Sequence, residues 1–209
     1  INLPRNPRWG RAQECYGEDQ YHLGEMGAAL TRGVQSQNVM ACIKHFALNS
    51  IENARFKADV QISRRALHEV FLPHFKRCIE EGAASVMGAY NKVLGEQASE
   101  SGFLLRDILR DKWGFEGFTL SDFLWAVKDG VKGVKGGMNI EMPCLCRYIE
   151  DIPKALADGQ LEMADLDEAV GYILRTIYYY ETRKDPQEYG EDILACDRHV
   201  QVAKRAAQE

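Results

Sequence analysis

Asp122 stands where an apolar run has to stop. The stretch Lys112-Trp113-Gly114-Phe115-Glu116-Gly117-Phe118-Thr119-Leu120-Ser121-Asp122-Phe123 reads as a glycine turn, a short strand and then a carboxylate. A carboxylate in that position can be a nucleophile, a general base or a metal ligand, and it can equally cap the helix that follows. Three other apolar runs end on polar side chains. Val39-Met40-Ala41-Cys42-Ile43 leads into Lys44-His45, Ala84-Ser85-Val86-Met87 into Tyr90-Asn91, and Met138-Asn139-Ile140 into Glu141. Two adjacent donors such as Lys44 and His45 suit a neutral, hydroxyl-rich ligand, although a satisfied core histidine beside a surface lysine would read the same way. Arg11, in Asn6-Pro7-Arg8-Trp9-Gly10-Arg11, adds a rigid donor fork near an aromatic ring that can be core filler or a stacking face. Glu52 and Arg55, three apart in Asn49-Ser50-Ile51-Glu52-Asn53-Ala54-Arg55, fit an ordinary local ion pair.

The elements that must position these groups alternate strand with helix, the pattern of βαβ units and a parallel sheet. In a (β/α) barrel the carboxyl ends of parallel strands converge on one face, where active sites are built. A first helix is expected from an Asp19 N-cap, with Leu23, Met26 and Leu30 on one face before Gly33. A second starts near Ser63 and is kinked or restarted at Pro73. Leu104, Leu105, Ile108 and Leu109 mark a third, and the segment after Asp122 a fourth. Leu166, Ala169, Val170, Ile173, Leu174 and Ile177 form a long amphipathic stripe. About five strands are legible, the first being Ile1-Asn2-Leu3-Pro4 as the tail of one, against the eight of a closed barrel. The expected fold class is therefore α/β, an incomplete TIM-like (β/α)8 barrel holding about the last five strand–helix units, in a chain that is a fragment. Lys184-Asp185-Pro186-Gln187 reads as a boundary, so residues 1–183 are expected to be the partial barrel and 184–209 a linker with a last helical segment, His199 to Ala207.

The 209 residues are 45% hydrophobic and 27% charged, with a net charge of -5. That balance points away from a nucleic-acid partner, which wants a basic footprint. No run approaches the roughly 18 apolar residues of a membrane helix. Six cysteines are present, and none forms a Cys-x-x-Cys. The Cys144-x-Cys146 pair lacks a second pair for zinc, and Cys42 is expected to pack as a small hydrophobe. Reduced thiols and a cytoplasmic setting are the expectation. The glycines of Gly130-x-x-Gly133-x-x-Gly136-Gly137 lack the opening of a dinucleotide fingerprint, and there is no Gly-x-Ser-x-Gly elbow. His68 and His74 are six residues apart, the wrong spacing for a metal pair on one helix face. No metal and no organic cofactor is expected.

Taken in order, Asn6-Pro7-Arg8-Trp9-Gly10-Arg11, Glu14, Gly17-Glu18-Asp19, Lys44-His45-Phe46, Ser85-Val86-Met87-x-x-Tyr90-Asn91 and Ser121-Asp122 closely resemble glycoside hydrolase family 3, from residue 2 to about 180. The resemblance is to the β-glucosidase branch. It implies a retaining exo-acting hydrolase of terminal β-D-glucosides, with Asp122 as nucleophile. Arg11, Lys44, His45 and Arg55 would bind sugar hydroxyls, Tyr90 would flank the nucleophile, and Glu52, Phe123 and Glu141 would support the site. A carboxylate attacking an anomeric carbon needs no prior deprotonation at neutral pH. Phe123 departs from the Trp that many members carry after the nucleophile, which puts the leaving-group preference in question. Lys44-His45-Phe46 continues as Ala47-Leu48-Asn49, unlike the Asp-His dyad loop of the bacterial N-acetylglucosaminidase branch. In β-glucosidases of this family the acid/base is a Glu on a second, α/β sandwich domain. Residues 199–207 resemble the start of that domain, so the acid/base would lie outside this chain, with the early strands, and the isolated fragment would be inactive or severely impaired. Glu141, in the Glu-Met-Pro position, is the local substitute for the acid, but a carboxylate that orients its neighbours is the preferred reading. Alternatives left open are a β-xylosidase or mixed-specificity exo-glycosidase, and a non-catalytic carbohydrate-binding fragment.

Overall fold

The computed structural model describes residues 1–143, 147–186 and 190–208 of an α/β chain. Cys144, Cys146 and Gln187, on which two of the readings above rest, lie outside the described residues. The described residues form six strands: β1 (Cys42–Phe46), β2 (Asp59–Val60), β3 (Ser85–Gly88), β4 (Lys92–Val93), β5 (Glu96–Gln97) and β6 (Phe118–Leu120). The sheet that carries the strand ends is parallel, in the order β1-β3-β6. A single parallel bridge between Leu120 and Ile140 extends it by one more position. The short β2, β4 and β5 make a separate sheet beyond the end of β3. Among the described residues no closed barrel is formed.

Two strand readings are corrected. The Ile1-Asn2-Leu3-Pro4 segment is not a strand. It runs beside β1 but is tied there by a side chain: Asn2 Nδ2 donates to the His45 carbonyl at 2.9 Å, and Asn2 Oδ1 accepts from the His45 amide at 3.1 Å. β1 itself starts three residues later than its apolar run, so Lys44 and His45 lie within it. Alternation along the strand buries His45 and leaves Lys44 half-buried. Cys42, at the start of β1, is exposed and does not pack as core, whereas Cys78 is buried.

Helix starts follow local chemistry. Asp19 accepts from the His22 amide at 2.8 Å and opens the Gln20–Gln35 helix, and Ser63 accepts from the Ala66 amide at 3.1 Å. Pro73 begins the Pro73–Glu80 helix, where its missing N–H costs nothing. Leu104, Leu105, Ile108 and Leu109 are fully buried on a wide, π-type helix over Phe103–Lys112, and Gly130–Gly136 follows β6.

Two helix faces differ from expectation. On Gln20–Gln35, Met26 and Leu30 are exposed, and the buried face is Leu23, Gly24, Gly27, Ala28 and Thr31. The small residues win because this helix lies close against Pro73–Glu80. A Cβ on Gly24 would sit 3.2 Å from Arg77 and 3.3 Å from the His74 backbone, and one on Gly27 would sit 2.7 Å from Cys78 Sγ. On Met163–Glu181, Val170, Leu174 and Ile177 face outward, while Ala169, Thr176 and Tyr180 are buried. The last helix, Asp197–Ala206, buries none of its residues.

Candidate active site

Asp122 lies two residues beyond β6, held from below by the sheet. Ser121 donates its amide to the Ile140 carbonyl at 2.9 Å, and its Oγ accepts from the Met142 amide at 2.9 Å. This lashes the turn after β6 to the turn after Ile140. Asp122 is buried, and its Oδ1 accepts the Phe123 amide at 2.8 Å. Oδ2 is also buried and accepts no hydrogen bond. Its near neighbour is His45 Nε2, at 3.3 Å.

His45 is delivered by β1, and the same nitrogen meets Arg11 Nη1 at 3.0 Å. Burial, followed by the positive charges of Arg11 and Lys44, pushes the imidazole down to about 2, so the ring is neutral. Arg11 comes from the loop before residue 12. Its Nε and Nη2 each donate to Glu14, both at 2.7 Å. The Glu14 bond raises the Arg11 pKa, and the guanidinium in turn holds Glu14 below the usual carboxylate range. Lys44 Nζ lies 3.9 Å from the same carboxylate.

On the other side, Arg55 lies with its guanidinium 4.4 Å from the centre of the Tyr90 ring and 4.8 Å from that of Phe56. Its Nη1 donates to Glu52 Oε1 at 2.5 Å. The Tyr90 hydroxyl donates to the Phe123 carbonyl at 2.9 Å. Burial and then the Asp122 charge push Tyr90 up to about 12. Phe56 meets Trp125 edge-on at 5.2 Å, and Phe123, Leu124 and Trp125 are about half exposed around the mouth.

Arg11, Lys44, His45, Glu52, Arg55, Tyr90, Asp122 and Phe123 are thus joined by a chain of contacts. Glu141 is committed elsewhere. Its Oε1 accepts the Arg147 amide at 3.0 Å and its Oε2 the Tyr148 amide at 2.7 Å, so it caps the Arg147–Ala157 helix. Three contributors were not among the expected site residues. Glu14 sits three residues after Arg11, a spacing that signals an ion pair but not its location. Phe56 and Trp125 carry no signal beyond being aromatic. Among the described residues no three His, Cys, Asp or Glu side chains gather as metal ligands, and no helix is long and apolar enough to cross a membrane.

What the arrangement can do chemically is limited and specific. A buried carboxylate with one oxygen lacking a hydrogen-bond partner faces a neutral imidazole, and the cationic side chains of Arg11, Lys44 and Arg55 lie around it.

Relatives of known name are similar to the chain over most or all of its length. The chain is 36% identical over its whole length to thermostable beta-glucosidase B of Acetivibrio thermocellus, of which it spans 27%. It is 35% identical over its whole length to an exo-alpha-(1->6)-L-arabinopyranosidase of Bifidobacterium breve, again spanning 27% of that protein. Its fold matches beta-glucosidase 3B from Thermotoga neapolitana, solved with alpha-D-glucose, with a TM-score of 0.86 and 36% identity, over 99% of this chain and 30% of that one. The chain thus spans between a quarter and a third of the length of these relatives. Residues 1–176 match the glycosyl hydrolase family 3 N terminal domain, and the chain belongs to that family.

Proposed function

We propose that this chain carries the nucleophile and the sugar-binding side chains of a retaining exo-acting β-glucosidase. The observation that carries the reading is the unbonded, buried Oδ2 of Asp122 at the carboxyl end of a parallel strand, inside the Arg11, Lys44, His45 and Arg55 cluster. Oδ2 attacks the anomeric carbon, the bond from that carbon to the glycosidic oxygen breaks, and the aglycone leaves with the electron pair. Water then cleaves the glycosyl ester, regenerating the carboxylate and retaining the configuration. Arg11, Lys44, His45 and Arg55 hold hydroxyls, and Tyr90 fixes the turn that carries the nucleophile. The parallel order β1-β3-β6, continued at Ile140, supports reading residues 1–183 as part of a TIM-like barrel, with 184–209 leading to a second domain. Glu141 is an unsuitable proton donor because both of its oxygens cap a helix, which supports an acid/base supplied from outside these 209 residues. Poor leaving groups should then react slowly on the isolated chain, since general acid catalysis is typically worth about 10²–10⁴-fold.

A second reading, an exo-glycosidase of mixed specificity, is favoured by the arabinopyranosidase relative. It turns on what packs around the C6 group of the sugar.

The test is mass spectrometry after incubation with an activated 2-deoxy-2-fluoro-β-glucoside, whose leaving group needs no acid. A stable adduct on Asp122, lost in Asp122→Asn, is the expected result. A folded chain that gives no adduct, or an adduct elsewhere, overturns the nucleophile assignment and leaves a carbohydrate-binding fragment as the alternative.

A further inference from the structure

The amino ends of the parallel strands carry a groove of their own, at the opposite end of the sheet from Asp122. It measures about 490 Å3. One wall is backbone leading into the sheet: Ala83 and Ala84 before β3, and the Gly114 to Gly117 turn before β6. The facing wall comes from the Met163–Glu181 helix and the residues just past it, where Arg175, Tyr179 and Arg183 recur every fourth position. That spacing puts side chains on one helix face, with the two arginines roughly 12 Å apart along the axis.

Neighbouring arginines are neutralised. Arg32 Nε and Arg77 Nη1 lie 2.9 and 3.0 Å from Glu81, and Arg106 Nη1 lies 2.9 Å from Glu168. Arg175 and Arg183 are exposed, and among the described residues neither side chain has a hydrogen bond or an ion pair. Each is steadied by an aromatic ring instead. Arg175 lies 5.4 Å from the centre of the Tyr172 ring, and Arg183 lies 5.0 Å from that of Tyr179. Stacking holds a guanidinium while leaving its N–H edges unspent, which suits bidentate binding of a carboxylate or phosphate. A third guanidinium adds charge from behind the backbone wall. Arg110 donates to the Phe115 and Gly117 carbonyls at 2.8 and 2.6 Å and to Asn139 Oδ1 at 2.9 Å, with no carboxylate among these partners. Burial pushes it down to about 10, so it stays charged at neutral pH.

The carboxylates around the groove narrow the ligand further. Glu81 is held by Arg32 and Arg77, and Asp185 accepts from Asn38 Nδ2 at 2.6 Å. Glu116, exposed on the backbone wall, has no partner among the described residues. It repels a bare polyanion but accepts hydroxyl protons. A ligand with both an acidic group and hydroxyls satisfies the arginines and Glu116 together. The volume agrees, since it falls within the range of about 300–1,000 Å3 of small-molecule sites and far exceeds a single phosphate ion.

We propose that this groove is a second carbohydrate-binding site, for a sugar bearing a carboxylate or phosphate group, with Arg175 and Arg183 as the oxyanion forks and Glu116 as a hydroxyl acceptor. It lies away from the nucleophile and stands whether or not Asp122 has the role assigned above.

The experiment labels arginine with 15N, assigns the side-chain Nε–H signals of Arg175 and Arg183 with Arg175→Gln and Arg183→Gln, and titrates D-glucuronate, glucose 6-phosphate, glucose and inorganic phosphate in turn. Glucuronate or glucose 6-phosphate should shift both signals saturably, and the tighter of the two identifies the acidic group. Glucose should leave the pair unmoved, and inorganic phosphate should bind clearly more weakly than the sugar acid. By isothermal titration, each glutamine variant should lose up to roughly fivefold in affinity, the scale of one exposed ion pair, and the double variant correspondingly more. Arg183→Lys, which keeps the charge and loses the fork, should fall between Arg183→Gln and the unaltered protein. Glu116→Gln leaves the arginines intact and should narrow the gap between sugar acid and inorganic phosphate. No shift with either acid overturns the proposal. So does inorganic phosphate binding as tightly as the sugar acids, or a double variant that binds them as the unaltered protein does. Shifts confined to Arg11 and Arg55 would put the ligand at the other end of the sheet and overturn it as well.

Discussion

The hydroxyl of Tyr90 hydrogen-bonds to the backbone carbonyl of Phe123, 2.9 Å away, and so braces the turn on which Asp122 sits. The brace reaches further, because Gln97 Nε2 donates to the Tyr90 carbonyl at 2.5 Å and the Arg55 guanidinium lies over the ring. Tyr90→Phe keeps the ring and removes the brace. Stability should fall by only about 0.5–1.5 kcal/mol, whereas labelling of Asp122 should slow about tenfold, a change of about 1.4 kcal/mol in barrier. Urea unfolding and labelling kinetics measured together check this. An unchanged labelling rate would mean that the turn holds its shape without the tyrosine.

Glu141 gives a control on the same face. Its two oxygens accept the first amides of the Arg147–Ala157 helix, so Glu141→Ala should cost about 0.5–2 kcal/mol, the usual loss of a helix cap. Labelling by an activated fluoroglucoside should proceed at the unaltered rate. A large fall in labelling at preserved stability would instead give Glu141 a part in the reaction.

His74 should make stability depend on pH. It is buried against Phe75, neither ring nitrogen has a partner, and burial pushes its pKa down to about 3 from an ordinary 6.5. The unfolded chain therefore takes up its proton first as pH falls. The contribution is complete above about pH 6.5 and is lost progressively towards pH 3, with a slope of up to about 1.4 kcal/mol per pH unit. His45, also lowered, acts in the same direction. His74→Leu should flatten the dependence of unfolding free energy between pH 6.5 and 4.5 and leave the His45 part. Equal slopes in the two proteins would refute this.

Gly117 is where the sheet leaves no room. A Cβ there would lie 2.1 Å from the Ala84 carbonyl oxygen, backbone that cannot swing aside, and 2.8 Å from the Phe115 ring. Gly117→Ala should therefore destabilise by about 1–3 kcal/mol or more, through separation of β6 from β3. The midpoint of thermal unfolding reads this directly, and a shift within error would show that the turn before β6 can relax.

Much of the architecture was legible because its causes are local. Asp19, Ser63 and Pro73 start helices through bonds made within a few residues, and Leu104, Leu105, Ile108 and Leu109 are buried where their spacing put them. The gathering of Asp122, His45 and Tyr90 followed from parallel strands ending on one face. Helix faces were harder. Met26 and Leu30 looked like core because they are apolar, but the contact with Pro73–Glu80 selects Gly24 and Gly27, whose value is the absence of a side chain. On Met163–Glu181 the apolar Val170, Leu174 and Ile177 likewise looked like core, but the buried positions are Ala169, Thr176 and Tyr180. Ile1-Asn2-Leu3-Pro4 misled differently, since an amide side chain can imitate a strand partner, and no periodicity reveals that. Glu14 was visible as part of the ordered motif and as a neighbour of Arg11, but not as a member of the site. The partner on the far side of Arg11, His45, is brought in from 34 positions along the chain.

That imitation by Asn2 has a consequence for the sheet as a surface. The outward N–H and C=O of a strand are ordinarily a template for another chain, which is how strand exchange and fibrous aggregation begin. At His45 both groups are already taken by one amide, at 3.1 and 2.9 Å. The Asn2 side chain therefore closes β1 to intruding strands at His45, and the Ile1 amino group, 2.5 Å from the Lys44 carbonyl, lies beside it. Asn2→Ala should therefore be felt first in solubility, and only afterwards in the chemistry a few ångströms away.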